Sequence, residues 1–313
     1  MFALRGLLLS ASILILLYAA LSLGIAGAWR ILVRIGRQRP ARQTANLLFA
    51  LRMMPLLLSA LITCCFMVPS FLLLEPHSGN EALGSVPVVL ACGCLLTFAL
   101  GVFRAARAQA RSSTVVANWV REAKAVSRNG EVPVFRVAQS IPAFTAAGIR
   151  RPKVLVSEAG AALLSESELR TALLHEFAHI RRRDNLKKLL LRFSACPGIA
   201  ALEHAWLQAA EVAADDEAVS SLAEALDLAS ALIKLSRFSA MCSAPEFSTG
   251  LVHSPAASVD ARVRRLIAWR AQRPPAGVRL RWYLPALATV VCLAMTYSTT
   301  LIGMHEVTEW LVR

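Results

Sequence analysis

Four long stretches of this chain carry no charged side chain. Gly6–Trp29 and Trp282–His305 are 24 residues each, and Met53–Leu74 and Ala82–Phe103 are 22 each. A helix needs about 20 apolar residues to cross about 30 Å of hydrocarbon, where every backbone amide must bond within the segment. The runs therefore predict four membrane helices. Two shorter charge-free runs, Val137–Ile149 and Phe247–Val259, are broken by proline and polar residues and cannot span. Composition agrees. The chain is 56% hydrophobic and only 17% charged, against about 25% charged in a soluble domain. This excludes a disordered chain, a disulfide-stapled miniprotein and a purely soluble enzyme. The first run is also longer than the apolar core of about 7–15 residues in a signal peptide.

Lysine and arginine set the expected orientation. With the N-terminus outside, the inner segments 30–52 and 104–281 sum to +16 and the outer ones to −2. The net charge of +14 over 313 residues is thus read as a positive-inside pattern, with attraction to anionic lipid as a consequence, and not as a nucleic-acid surface. Cysteines follow the same plan. Cys64, Cys65, Cys92, Cys94 and Cys292 fall within the apolar runs, and no Cys-x-x-Cys pair is present.

The charged block between the third and fourth runs is long enough for a globular domain. The expected division is a three-helix membrane region over 1–111, a cytosolic domain over 112–280, and a fourth membrane helix with a short outer tail over 281–313. Arg104–Arg111 reads as a helical extension leaving the bilayer. Val132–Val137, Ile141–Phe144 and Lys153–Ser157 read as strands, and the pattern turns helical after them, which predicts an α+β domain. If Val154–Ser157 is an edge strand, it can take up an extended peptide by strand addition.

Ser165 followed by Glu168 writes a capping box, and Leu169, Leu173, Phe177 and Ile180 then recur at helical spacing. On this helix stands His175-Glu176-Phe177-Ala178-His179. Residues four apart share a helix face, so both imidazoles can meet one metal ion. Glu176, one step round, can take a proton from a metal-bound water. A third ligand must come from elsewhere, because Arg182 and Asn185 stand where an extended metzincin motif needs Gly and His. Glu211 is the best placed, 32 positions beyond His179, with Asp215 one turn later to orient a ligand histidine. Glu203 and His204 are rivals on the same stretch. Asp184 can bond a ligand imidazole or pair with the neighbouring arginines, and His253 can serve a developing oxyanion. His/His/Glu suits zinc.

Several segments together resemble the BlaR/MecR antirepressor metallopeptidase family: Gly148–Val154, Leu164–Leu169, His175–Asn185 and Glu211–Val219. Three apolar runs before the zinc motif and one after match that family's layout. HtpX-like and CAAX-prenyl endopeptidases share the zinc core with other helix arrangements. The resemblance implies a membrane zinc endopeptidase of gluzincin type in a bacterial-type inner membrane. Its peptidase domain would be cytoplasmic and both termini outside. His175, His179 and Glu211 would be ligands, Glu176 the base and Asp215 a support. Where the family reads Asp-Glu-Ala-Val, this chain has an additional aspartate, Asp215-Asp216-Glu217-Ala218-Val219. Few residues follow the last apolar run, so the large penicillin-binding sensor that the family carries there is not expected for this chain. A signal would therefore arrive through the Glu75–Ser85 loop, the bilayer helices or a sensor partner protein. The expected substrate is a cytosolic regulator, by analogy a winged-helix repressor that binds DNA in the chain's stead. A quality-control protease acting on membrane proteins and a non-catalytic signalling scaffold are the alternatives.

Overall fold

A computed structural model describes residues 2–35, 40–75, 84–121, 123–127, 132–138, 142–194, 200–238, 248–249, 256–270 and 296–309. It is mostly helical. Three stretches are long and apolar enough to cross a membrane: Phe2–Ile31, Ala41–Leu74 and Ser85–Arg121. The first lies in α1 (Phe2–Ile35). The second joins α2 (Ala41–Ile62), a π-helical turn (Thr63–Met67) and α3 (Val68–Leu74), and the third is α4 (Ser85–Arg121). Leu7, Leu23, Leu57, Leu73 and Leu95 point outward and exposed, the arrangement expected where lipid is the solvent. Most of the fourth apolar run lies outside the described residues. Residues 296–309 are helical and lie along the second span. Ser70 Oγ donates to the Leu301 carbonyl at 2.8 Å and Tyr297 OH to the Cys65 carbonyl at 3.0 Å.

Beyond the bilayer helices the chain builds β1 (Lys124–Ser127), β2 (Val134–Val137), β3 (Phe144–Ala147) and β4 (Lys153–Ser157). Then follow α5 (Glu158–Ala162), α6 (Glu166–Arg181), α7 (Asp184–Phe193), α8 (Ala200–Ala218), α9 (Leu222–Phe238), β5 (Ser248–Thr249) and α10 (Ala256–Ile267). The sheet order is β1-β2-β4-β3-β5. One sheet face, with Phe144, Val154 and Val156, packs on Ala172 of α6, Leu228 and Leu232 of α9 and Val263 of α10. On the other face Val137 and Leu155 meet Val116, Trp119 and Val120, the far end of α4. α4 thus runs unbroken from the bilayer to the sheet, and position 111 lies within it.

The edge-strand expectation for Val154–Ser157 is corrected here. β4 is paired on both sides, parallel to β2 and antiparallel to β3, so it has no free ladder to offer a peptide. The strand expected at Ile141–Phe144 sits later, at Phe144–Ala147.

α7 and α8 dock against the bilayer helices. Leu191, Leu202, Trp206 and Ala210 share a core with Ile25, Leu48, Leu51 and Met53. The carbonyl of Ser194, just past α7, accepts from Tyr18 OH at 2.8 Å and from Arg52 Nη2 at 2.6 Å. A buried carbonyl left free by the helix end is thereby satisfied from α1 and α2.

Candidate metal centre

α6 carries the histidine pair because its start is firmly held. Ser165 Oγ accepts from the Glu168 amide and Glu168 Oε2 from the Ser165 amide, closing the capping box. Glu168 also accepts from Lys234 Nζ at 2.7 Å and Ser230 Oγ at 2.5 Å, which ties the cap to α9. Burial alone would raise the Glu168 pKa, but these donors hold it down at about 2.

Three elements converge on His175 and His179, which are almost fully buried. Their Nε2 atoms face each other at 3.1 Å. α8 packs across α6 and brings Glu211 to both, with its carboxylate oxygens 3.6 Å from each Nε2. The opposite ring nitrogens face carboxylates. His179 Nδ1 lies 2.8 Å from Asp184 Oδ2. His175 Nδ1 lies 3.0 Å from Asp215 Oδ1, close enough to pair but poorly aligned for a hydrogen bond. A carboxylate at Nδ1 keeps the proton there and leaves the Nε2 lone pair free. With both Nδ1 atoms so paired, the two Nε2 atoms are left facing one another, and a cation between them, a proton or a metal ion, resolves the contact. The 3.1, 3.6 and 3.6 Å separations also match the edges of a tetrahedral zinc site, roughly 3.3 Å for bonds of about 2.0–2.1 Å. The residues therefore fit a metal ion. A second cluster, Glu75, His305 and Glu309, also brings ligand atoms together, with Glu75 paired to Arg5 at 3.0 Å.

The turn after α6 explains Asp184. Arg183 adopts a left-handed conformation at φ 54°, a shape that ends one helix and lets the next begin at once. Asp184 returns onto His179 five residues after it. Asn185 Nδ2 then donates to the Ala146 carbonyl at 3.1 Å, joining α7 to β3. Glu176 is buried on the same side. Its Oε2 accepts from the Ala146 amide at 2.9 Å, and Oε1 has no hydrogen-bond partner among the described residues. Burial pushes the Glu176 carboxyl up despite the two histidines.

Arg262 of α10 is the site residue that sequence reasoning missed. Its Nε and Nη2 donate to Asp215 at 2.7 and 2.6 Å, and Nη1 donates to Glu211 at 3.1 Å. Burial would raise the pKa of both carboxyls, but Arg262 and the histidines outweigh it and hold each below the usual range. His175 shows the opposite balance: burial lowers its pKa, while Asp215 and Glu211 raise it to about 9. A signal for Arg262 did exist. It falls on the stripe of Val259, Val263 and Leu266, all buried, and a cation on an apolar helix face implies a buried partner.

The other candidates fall elsewhere. His204 is exposed on α8, Glu203 lines a cavity beside α4, and His253 lies outside the described residues. Neither His204 nor Glu203 meets the histidine pair in the structure.

A buried His/His/Glu cluster on crossed helices, with a carboxylate beside it and a sheet strand against that carboxylate, is the arrangement of a metallopeptidase. The profile of the BlaR1 peptidase M56 family matches residues 56–266, about two thirds of the chain. The chain belongs to that family and is a membrane-associated metallopeptidase. No curated protein matches it significantly.

Proposed function

We propose that this chain is a zinc endopeptidase that cuts a cytosolic regulatory protein, by family analogy a winged-helix repressor. His175, His179 and Glu211 are the metal ligands. Bound there, zinc lowers the pKa of a water to about 7 and polarises the scissile carbonyl. Glu176 takes the proton of the attacking water at Oε1 and returns it to the leaving amine nitrogen, while the Ala146 amide holds Oε2 in place. Asp184 and Asp215 keep the two imidazoles in the ligating tautomer. The observation that carries the reading is Glu176. A structural metal site is closed by a fourth protein ligand and needs no buried carboxylate beside the ligands. Here Glu176 stands there with one oxygen without a hydrogen-bond partner among the described residues.

The charge pattern supports four spans, with the peptidase region inside and both termini outside. The test compares new protein N-termini in cells making wild type or Glu176→Gln. One dominant cytosolic DNA-binding protein, cut only by wild type, is the expected result. Many cut membrane proteins would replace this reading with quality control, and identical N-termini would refute proteolysis.

A further inference from the structure

Away from the metal centre, a cavity of about 330 Å³ opens between α4, α7 and α8. Arg104, Arg107 and Arg111 of α4 line it together with Arg192 of α7, and Glu203 of α8 is the one carboxylate among the lining residues. Its apolar floor is Ala108 and Leu191, both buried. The α4 arginines stand at i, i+3 and i+7, so they form one face. Arg104 is the first charge after the run Ala82–Phe103, which sets it at the level where hydrocarbon gives way to headgroups. Arg111 lies about 10 Å further along the axis, at 1.5 Å per residue, so the row crosses the depth of a headgroup layer.

The walls of the cavity are fixed. A Cβ at Gly101, one turn before Arg104, would collide with the backbone carbonyl of Phe193, so α7 touches α4 directly beneath the opening. Four guanidiniums facing one carboxylate give a concave, net positive pocket. Planar forks of this kind match the oxygens of a phosphate. An apolar floor at the level of the headgroups suits a glycerol backbone, whereas a soluble anion has no use for it.

We propose that this cavity binds the phosphate of an anionic phospholipid headgroup. The proposal stands apart from the peptidase reading, since none of its residues belongs to the metal centre. It does bear on that centre. Asp184 is eight residues before Arg192 on α7, and Glu211 is eight after Glu203 on α8, each about 12 Å away along its helix. A headgroup seated here fastens to the bilayer both helices that support the ligands.

The full chain, purified in neutral detergent, is mixed with phosphatidylglycerol, phosphatidylcholine or inorganic phosphate, and bound copies are counted by native mass spectrometry. Wild type is expected to hold one phosphatidylglycerol in preference to phosphatidylcholine. Arg107→Gln with Arg111→Gln should weaken that binding about a hundredfold, roughly tenfold for each charge-assisted hydrogen bond removed. Arg170→Gln with Arg264→Gln removes the same charge from exposed positions on α6 and α10 and should leave binding unchanged. Should the glutamine pair fail to fold, Arg107→Lys with Arg111→Lys keeps the charge, loses the fork, and is expected to weaken binding by a smaller factor. Equal losses in the pocket and control pairs, or equal retention of both lipids, overturn the proposal. So does inorganic phosphate that displaces phosphatidylglycerol, because the site would then take a soluble anion.

Discussion

Replacing Arg262 with methionine removes the cation that touches both Glu211 and Asp215. Three charge-assisted hydrogen bonds disappear, at 2.7, 2.6 and 3.1 Å. Arg262 is 2% exposed and Asp215 1% exposed, so water cannot take its place. Breaking a buried pair by deleting one partner costs about 3–5 kcal/mol, because the surviving charge stays desolvated. For a domain of this size that corresponds to a melting point lower by roughly 10 °C. Metal affinity should fall as well, by about 10–100-fold, the usual effect of losing a group that orients ligands. The assay is thermal unfolding of the solubilised chain without metal, followed by zinc titration. Arg262→Lys keeps a charge but not the fork and should fall between. Asp215→Asn combined with Arg262→Met should cost less than the two alone, since both disrupt the same interaction. A methionine variant with wild-type melting point and zinc affinity would refute the reasoning, for Glu211 and Asp215 would then need no counter-ion.

Asp184→Asn frees His179 to take the wrong tautomer and should weaken zinc binding about 10–100-fold, read by competition with a chromogenic chelator. Gly101→Val should destabilise the chain by about 2 kcal/mol or more through overpacking, because the new Cβ meets the Phe193 carbonyl. Gly93→Val on the same helix, where nothing lies within 4 Å, should leave the melting point nearly unchanged. The Glu168 pKa is about 2 when folded against an ordinary 4.5, so its stabilisation is complete above about pH 4.5 and is lost as pH falls toward 2. Lys234 is 43% exposed, which screens the pair and limits the effect to about 1–2 kcal/mol. Melting points across that range should show a loss in wild type that is smaller in Glu168→Gln.

What the sequence determined by itself is local or periodic. Charge-free runs of 22 and 24 residues mark helices that only a bilayer can solvate. Three of them are seen as helices long and apolar enough to cross a membrane, and most of the fourth lies outside the described residues. The capping box at Ser165, the strand at Lys153–Ser157 and the shared faces of His175 with His179 and Glu211 with Asp215 all follow from spacings within one element. Pairing between distant segments was not legible. No local pattern tells that β4 lies inside the sheet, that β1 and the two-residue β5 complete it, or that Ser194 is capped from α1 and α2. Arg262 and the row Arg104, Arg107, Arg111 are all cations on helices, and although Arg262 falls on an apolar stripe, no local pattern names its partners. The tertiary structure separates them by their surroundings. Burial against two carboxylates makes Arg262 a counter-ion within the candidate metal centre. Exposure in a cavity at the end of an apolar run makes the α4 arginines a surface for an anion. A charge acquires its role from what lies across the gap, and for these residues that neighbour is supplied by a remote part of the chain.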